Sequence, residues 1–369
     1  MADDTVQPAA QVALGFVSHA QHNTQASPIS LRFWARSIGD RNPRFVDESH
    51  ASAGGAATIA HPCWLYSVHD TAVDVGESGR VPIIAGTEWE FLRPVRPGDR
   101  ISTTTRLLAQ RRVDSRFAGP STLQTVGVEY LGDHGELLAT ALGTLLRVDP
   151  EQARQKAKFT DWRRWKYSHE ELSRIELDYD SEQVRGARPL CAEDVRIGDA
   201  LPAIVRGPVT SEEMVLFVGG TRPIPAIAEF MQGFAAGTMA GFIHPRTGTY
   251  ESHAAGLVDD ESARQCGFPA AHDYGIDRIS QMASLVSNWI GDHGRLLRLG
   301  ARLLEPCMLG DATWFSGRVL QIEAASPRSG QVTIELSGTN QRGQLTVTGT
   351  ATVELPLRQP SWSPAAGRR

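Results

Sequence analysis

The feature that most constrains this chain is an internal repeat. Residues 45–62 read Phe-Val-Asp-Glu-Ser-His-Ala, then, past Gly54-Gly55, Ile59-Ala60-His61-Pro62. The same landmarks return in the same order later: Asp47 with Asp259, His61 with His272, Gly98-Asp99 with Gly310-Asp311, and Gly135 with Gly343. The spacing stays near ~210 residues throughout, which random recurrence of ordinary residues does not produce. Two tandem copies of one structural unit follow, and the chain of 369 residues is long enough for two domains of ordinary size.

Each copy reads as helix first and strands afterwards. In the first, Ser27-Pro28 opens a helix by N-cap and first-turn proline, and Gly39 closes it. Asp40-Arg41-Asn42-Pro43 is a turn signature. A second helix is expected from His61-Pro62, with Trp64, Leu65, Val68, Thr71, Ala72 and Val75 on its apolar side. Residues 83–91, 100–113, 122–131 and 137–148 have strand texture and are joined by hairpin-length turns, so the sheet should be antiparallel. In the second copy the long helix is unambiguous. Ile276, Ile279, Met282, Leu285, Val286, Trp289 and Ile290 form one apolar ladder. Strands return at 296–304, 313–322, 331–338 and 345–355. A long helix beside an antiparallel sheet, twice, is α+β.

The expected organisation is a flexible leader (1–26), an N-terminal unit (27–150), a helical linker (151–189), a C-terminal unit (190–357) and a tail (358–369). Ser168-His169-Glu170-Glu171 and Thr210-Ser211-Glu212-Glu213 both read as capping boxes. The second copy carries an insertion at 221–252, rich in Ala, Met and Phe over residues 227–242, which suits a lid, a pocket wall, extra core or a subunit interface.

Bulk properties narrow the function. Net charge is −5, which leaves no general basic field for nucleic acid. No apolar run reaches the ~18 residues of a membrane helix, and the N-terminus has no signal-peptide pattern, so a cytoplasmic protein is expected. Cys63, Cys191, Cys266 and Cys307 are scattered, which argues against a zinc site or a disulfide framework and for buried thiols.

The helix ending in Gly39-Asp40-Arg41-Asn42-Pro43, the central helix entered through Ala-His and the Pro-x-x-x-Gly-Asp hairpin occur within a duplicated whole. Together they resemble the MaoC-like acyl dehydratases, also called (R)-specific enoyl-CoA hydratases. Gly198-Asp-Ala-Leu-Pro202, Asp273-Tyr274-Gly275 and Asn340-Gln-Arg-Gly343 are similar to a two-hotdog actinobacterial branch of that family. The resemblance covers about residues 27–150 and 190–356. It implies a double hotdog, each long helix wrapped by an antiparallel sheet, with the two sheets continuous. It also implies reversible addition of water across the 2,3 double bond of an acyl thioester carried on coenzyme A or a carrier protein. No metal or other cofactor is implied, and whole chains are free to associate as homo-oligomers.

In the family an Asp and a His of a Gly-Asp-x-Asn-Pro-x-His stretch move the protons, and backbone N–H groups at the start of a helix hold the thioester oxygen. Here the histidine position is Phe45 in the first copy and Leu257 in the second, and neither copy keeps the pair. The catalytic candidates are therefore Asp40, His253, Asp259 and Tyr274, with Asn42, His61, His272, Asp273 and Gly275 lining the thioester site. Each has a plainer reading. Asp40 makes a structural turn, His253 lies on a loop, and His61 and His272 shape helix entries. Arg93, Arg96, Arg100, Arg111 and Arg112 suit a phosphate-bearing arm or merely solvated strand ends. The lost dyad leaves two other readings open. One is a same-fold enzyme for double-bond migration, ring-closing conjugate addition or thioester hydrolysis; the other is a non-catalytic acyl-binding or partner subunit.

Overall fold

The computed structural model describes residues 22–50, 55–72, 79–221, 227–237 and 239–358. Most of the expected leader and tail, together with Val75, lies outside them. Nine strands form one antiparallel sheet. In chain order these are β1 (Val81–Phe91), β2 (Ser102–Ser115), β3 (Gly119–Leu131), β4 (Leu137–Val148), β5 (Ile204–Arg206), β8 (Arg295–Leu303), β9 (Thr313–Ser326), β10 (Ser329–Asn340) and β11 (Leu345–Pro356). The order across the sheet is β2-β3-β4-β1-β8-β11-β10-β9-β5. Each copy's four long strands sit together, and the copies meet where β1 pairs β8, with Trp89 opposite Leu299. The backbones close tightly there: a Cβ on Gly86 would lie 2.4 Å from the Ala301 carbonyl oxygen. The architecture is the expected double hotdog with continuous sheets.

The helices are α1 (Pro28–Ser37), α2 (Pro43–Val46), α3 (Pro150–Lys156), α4 (His169–Asp180), α5 (Ser211–Thr221), α6 (Ile227–Ala235), α7 (Asp260–Gln265) and α8 (Ile276–Ile290). The Ser27 hydroxyl caps α1, and both expected capping boxes form, Ser168 with Glu171 and Thr210 with Glu213. Every residue of α8 is buried. Its apolar ladder packs on the sheet. Asp277, Ser280, Ser284 and Asn288 form a second, polar stripe, also buried, whose Ser284 and Asn288 meet His61 and Asn42 of the first copy.

The first copy departs from expectation. Where a helix matching α8 was anticipated, the described residues form only a 3-10 turn, Pro62–Ser67. The local chemistry accounts for its stop. The His69 Nδ1 accepts from the Thr71 N–H at 3.0 Å, and the Asp70 Oδ1 accepts from the Ala72 N–H at 3.0 Å. Such side-chain bonds to the backbone compete with helix continuation. Thr71 takes a left-handed φ of 62°, costly for a β-branched residue, and packs against Gly143 of β4. The space is filled by aromatic rings. Trp89 stacks on Phe91 and meets Tyr66 edge-on, with the Trp89 indole N–H donating to the Tyr66 hydroxyl at 2.9 Å.

The insertion forms α6 and a small hairpin, β6 (Gly241–Ile243) with β7 (Tyr250–Ser252). Ile227 and Met231 of α6 are exposed. Phe230 of the same helix is buried, and the 3-10 turn that follows the insertion, His253–Leu257, reaches a cavity.

Candidate active site

The pseudo-symmetry creates two cavities between the copies, one against the motif loop of each. The sequence candidates divide between them. His253, His272, Asp273, Tyr274 and Gly275 line a cavity of about 230 Å³ at the start of α8, closed on the other side by Ile83 and Ile84 of β1. Asn42 and His61 line the other, of about 430 Å³, near the end of α8. Asp40 is buried beneath the second cavity rather than in its wall, and Asp259 belongs to neither.

In the α8 cavity, Gly275 takes φ 30° and no side chain caps the helix, so its first-turn N–H groups have no side-chain acceptor. A Cβ on Gly275 would lie 2.5 Å from a Leu303 methyl, so glycine is required there. The Tyr274 hydroxyl donates to the Asp70 Oδ2 at 2.6 Å, a bond between the copies. The His272 Nδ1 lies 2.8 Å from the Asp273 carbonyl. A carbonyl only accepts, so Nδ1 carries the proton and Nε2 keeps its lone pair. Burial lowers the His272 pKa below its usual value, so the ring is neutral at neutral pH. His253 stacks with Phe242.

Asp273 is structural. It forms a buried two-pronged pair with Arg278 and accepts from the Cys307 N–H, while Arg278 also donates to the carbonyls of Glu305 and Thr346. Asp259 caps α7 through the Ser262 N–H at 2.7 Å and stands 3.5 Å from His244.

The second cavity overlies a polar cluster. The Asp40 Oδ1 accepts from the Asn42 N–H at 2.7 Å, making the expected turn. Its Oδ2 stands 3.7 Å from the His61 Nε2. The His61 Nδ1 accepts from the Cys63 N–H, and Asn42 donates to Asn288 of α8. Burial raises the Asp40 pKa, and burial, with Arg206 adding to it, lowers that of His61 to about 3. Phe45 meets the His61 ring edge-on. Of the strand arginines, Arg93 is engaged by Asp99 and Glu136, and Arg96, Arg100, Arg111 and Arg112 are exposed.

Sequence reasoning missed Asp70, His50 and Asp292. Asp70 and Tyr274 are 204 positions apart and meet only through the fold. Among the described residues no cluster of His, Cys, Asp and Glu suited to a metal occurs, and no helix is long and apolar enough to cross a membrane.

A pair of hotdogs sharing one sheet, with cavities at the helix entries, is the architecture of two-hotdog dehydratases. Residues 13–141 match the family model described as FAS1-like, dehydratase domain region. A Streptomyces griseus UPF0336 protein is 32% identical over 133 residues, 33% of this chain and 84% of the relative. A probable enoyl-CoA hydratase alpha subunit of Thermomonospora curvata is 28% identical over 151 residues, 35% of this chain. The match spans 47% of that relative, about half its length. Among solved structures, a MaoC-like dehydratase superposes with TM-score 0.63 at 18% identity, covering 93% of this chain and 98% of its own. A Mycobacterium tuberculosis protein described as a double hotdog gives 0.53 at 12% identity, covering 90% and 93%. The chain belongs to one family with the UPF0336 relative, its first copy matches a dehydratase domain region, and its fold is that of the MaoC-like dehydratases.

Proposed function

We propose that this chain adds water to, or removes it from, an acyl thioester bound in the cavity at the start of α8. The carrying observation is the meeting there of a neutral, tautomer-fixed His272, the Tyr274–Asp70 bond and the uncapped first turn of α8. In the hydration direction, the His272 Nε2 takes a proton from water as the water oxygen bonds to C3 of the enoyl group. The electron pair of the double bond moves through C2 onto the thioester oxygen, held by the α8 N–H groups. The Tyr274 hydroxyl, its proton committed to Asp70, offers its oxygen to orient the water. C2 then takes a proton from the imidazolium or from His253, and the product differs by one water. The thioester arm is coenzyme A or a carrier protein, as the family implies.

A second reading has its own support. Phe45 and Leu257 both replace the family histidine, which fits an acyl-binding subunit without turnover.

Mass spectrometry decides between them. The chain is incubated with trans-2-enoyl-CoA and 3-hydroxyacyl-CoA thioesters from short to bulky, beside His272→Gln and His253→Ala. A mass change of one water, lost in His272→Gln, is expected. Thioesters that bind without exchange in any case replace this reading with the acyl-binding one.

A further inference from the structure

The stretch that joins the copies differs in charge from the rest of the chain. Residues 154–166 carry Arg154, Lys156, Lys158, Arg163, Arg164 and Lys166 against one acid, Asp161, a net +5 in a chain whose net charge is −5. Lys158 pairs with Glu305 at 2.7 Å and Arg164 with Asp260 at 2.8 Å. The other four cations are exposed and meet no carboxylate among the described residues. Lys156 donates to the Ser115 carbonyl at 2.9 Å, Arg154 to that of Gln265, and Arg163 to those of Thr160 and Trp162, bonds that leave their charges uncancelled. The stretch is nevertheless pinned. Arg342 of the second copy donates to the Arg163 carbonyl at 2.7 Å, Arg164 donates to the Leu309 carbonyl at 2.7 Å, and Phe159 stacks with Phe268. The backbone that bears these cations is thus set before any partner arrives.

Their place matters as much as their charge. Lys158, Trp162, Arg163, Trp165 and Lys166 line an open groove of about 690 Å³. Lys158, Phe159, Glu305 and Pro306 line both this groove and the α8 cavity, so the groove abuts the cavity that receives the acyl group in the reading above.

Three kinds of partner carry the negative charge such a surface attracts, and the geometry separates them. A nucleotide wants a bare ring on which to stack its base. Here the rings already carry cations: Arg342 lies 6.0 Å from the Trp162 ring and 5.4 Å from that of Trp165, and Lys158 lies 4.8 Å over Phe159. A membrane surface wants exposed apolar side chains to insert, and no large apolar side chain of the stretch is exposed. An acidic protein face wants spaced, solvated cations over a broad area, and those are what stand here.

We infer that residues 154–166 are the docking surface for a protein with an acidic face, one that delivers its acyl group into the α8 cavity on a flexible arm. The inference rests on the reading above and commits the carrier to a protein rather than a nucleotide. Charge steers the carrier to the linker, and the shared wall of Lys158 and Phe159 puts the arm beside the cavity.

Isothermal titration calorimetry of the full chain with two probes tests this. Both carry a butanoyl group, which can neither gain nor lose water, on the same phosphopantetheine arm. One ends in an acidic acyl carrier protein, the other in the nucleotide of coenzyme A. Lys156→Glu, Arg163→Glu and Lys166→Glu, combined in one variant, should weaken the carrier protein about tenfold or more and leave the coenzyme A thioester within about twofold. Salt at ~0.5 M should weaken the carrier protein in the same way. The melting temperature should be retained, since none of the three side chains meets a carboxylate. Equal loss for both probes overturns the inference and makes the patch a phosphate subsite. Carrier binding that ignores charge reversal, or that is absent at low salt, overturns it too. So does charge-dependent binding to phosphatidylglycerol vesicles without binding to the carrier. Docking is read without turnover. A chain that binds the carrier through these charges but exchanges no water with enoyl or hydroxyacyl thioesters keeps this inference and loses the reading above. Water exchange on coenzyme A thioesters with no carrier binding does the reverse.

Discussion

The two copies solve one packing problem differently. The C-terminal copy threads a fully buried helix of 15 residues through its sheet. The N-terminal copy stops after a 3-10 turn of 6 residues and fills the space with Tyr66, Trp89, Phe91 and Tyr130. The helix brings an open N-terminus to one cavity, and the aromatic cluster brings none to the other. A hotdog sheet therefore tolerates either filling, but only one supplies backbone dipoles to a thioester oxygen.

The sharpest test of that contrast compares ion pairs. Arg278→Met strands Asp273 in the interior of the C-terminal copy and should cost roughly 3–5 kcal/mol in urea unfolding. Arg93→Met, at a partly exposed pair with Asp99 in the N-terminal copy, should cost no more than about 1 kcal/mol. Equal costs would mean the copies are not stabilised asymmetrically. Next in size, Tyr66→Phe leaves the buried Trp89 indole N–H without its acceptor and should cost about 1–3 kcal/mol by thermal melting. No loss would show that the aromatic cluster does not do the helix's work.

A pH series probes the cavity floors. The folded pKa of His61 lies near 3, below its unfolded value of 6.5. The unfolded chain therefore binds the extra proton, and stability present above pH 6.5 drains away as pH falls toward 3. His61→Gln should flatten that slope in urea titrations at successive pH values. His272 shifts the same way, so the acid limb of any turnover should fall below pH 6.5 in a rate profile. The smallest effect is expected from Asp40→Asn. An amide oxygen still accepts from the Asn42 N–H, and the burial that raises the Asp40 pKa penalises its charge, so stability at pH 7 should hold or rise slightly by melting. A loss of turnover in this variant would move catalysis to the larger cavity.

Local chemistry made much of this legible beforehand. The ladder from Ile276 to Ile290, the hairpin turns, the capping boxes at Ser168 and Thr210 and the Asp40–Asn42 turn are short-range patterns, and each formed. The early stop of the first copy's helix was hidden. Trp64, Leu65 and Val68 have helical spacing, while the stop is set by side chains of His69 and Asp70 turning back on their own backbone. The sites were hidden for another reason. His50 meets Asp292 from 242 positions away, a distance at which no spacing rule speaks. Knowing that the copies share a sheet predicts that such pairs exist without saying which.

The shared sheet has one more consequence. Had the two units been separate, identical chains joined by a twofold axis, every substitution would appear on both sides at once, and shortening the helix would shorten both. Joined in tandem through the backbone contact of Gly86 with Ala301, the copies are edited one at a time. A single codon change at Phe45 or at Gly275 therefore reshapes one chamber and leaves the other as it was, so the chain can hold two pockets of different chemistry within one molecule of pseudo-twofold shape.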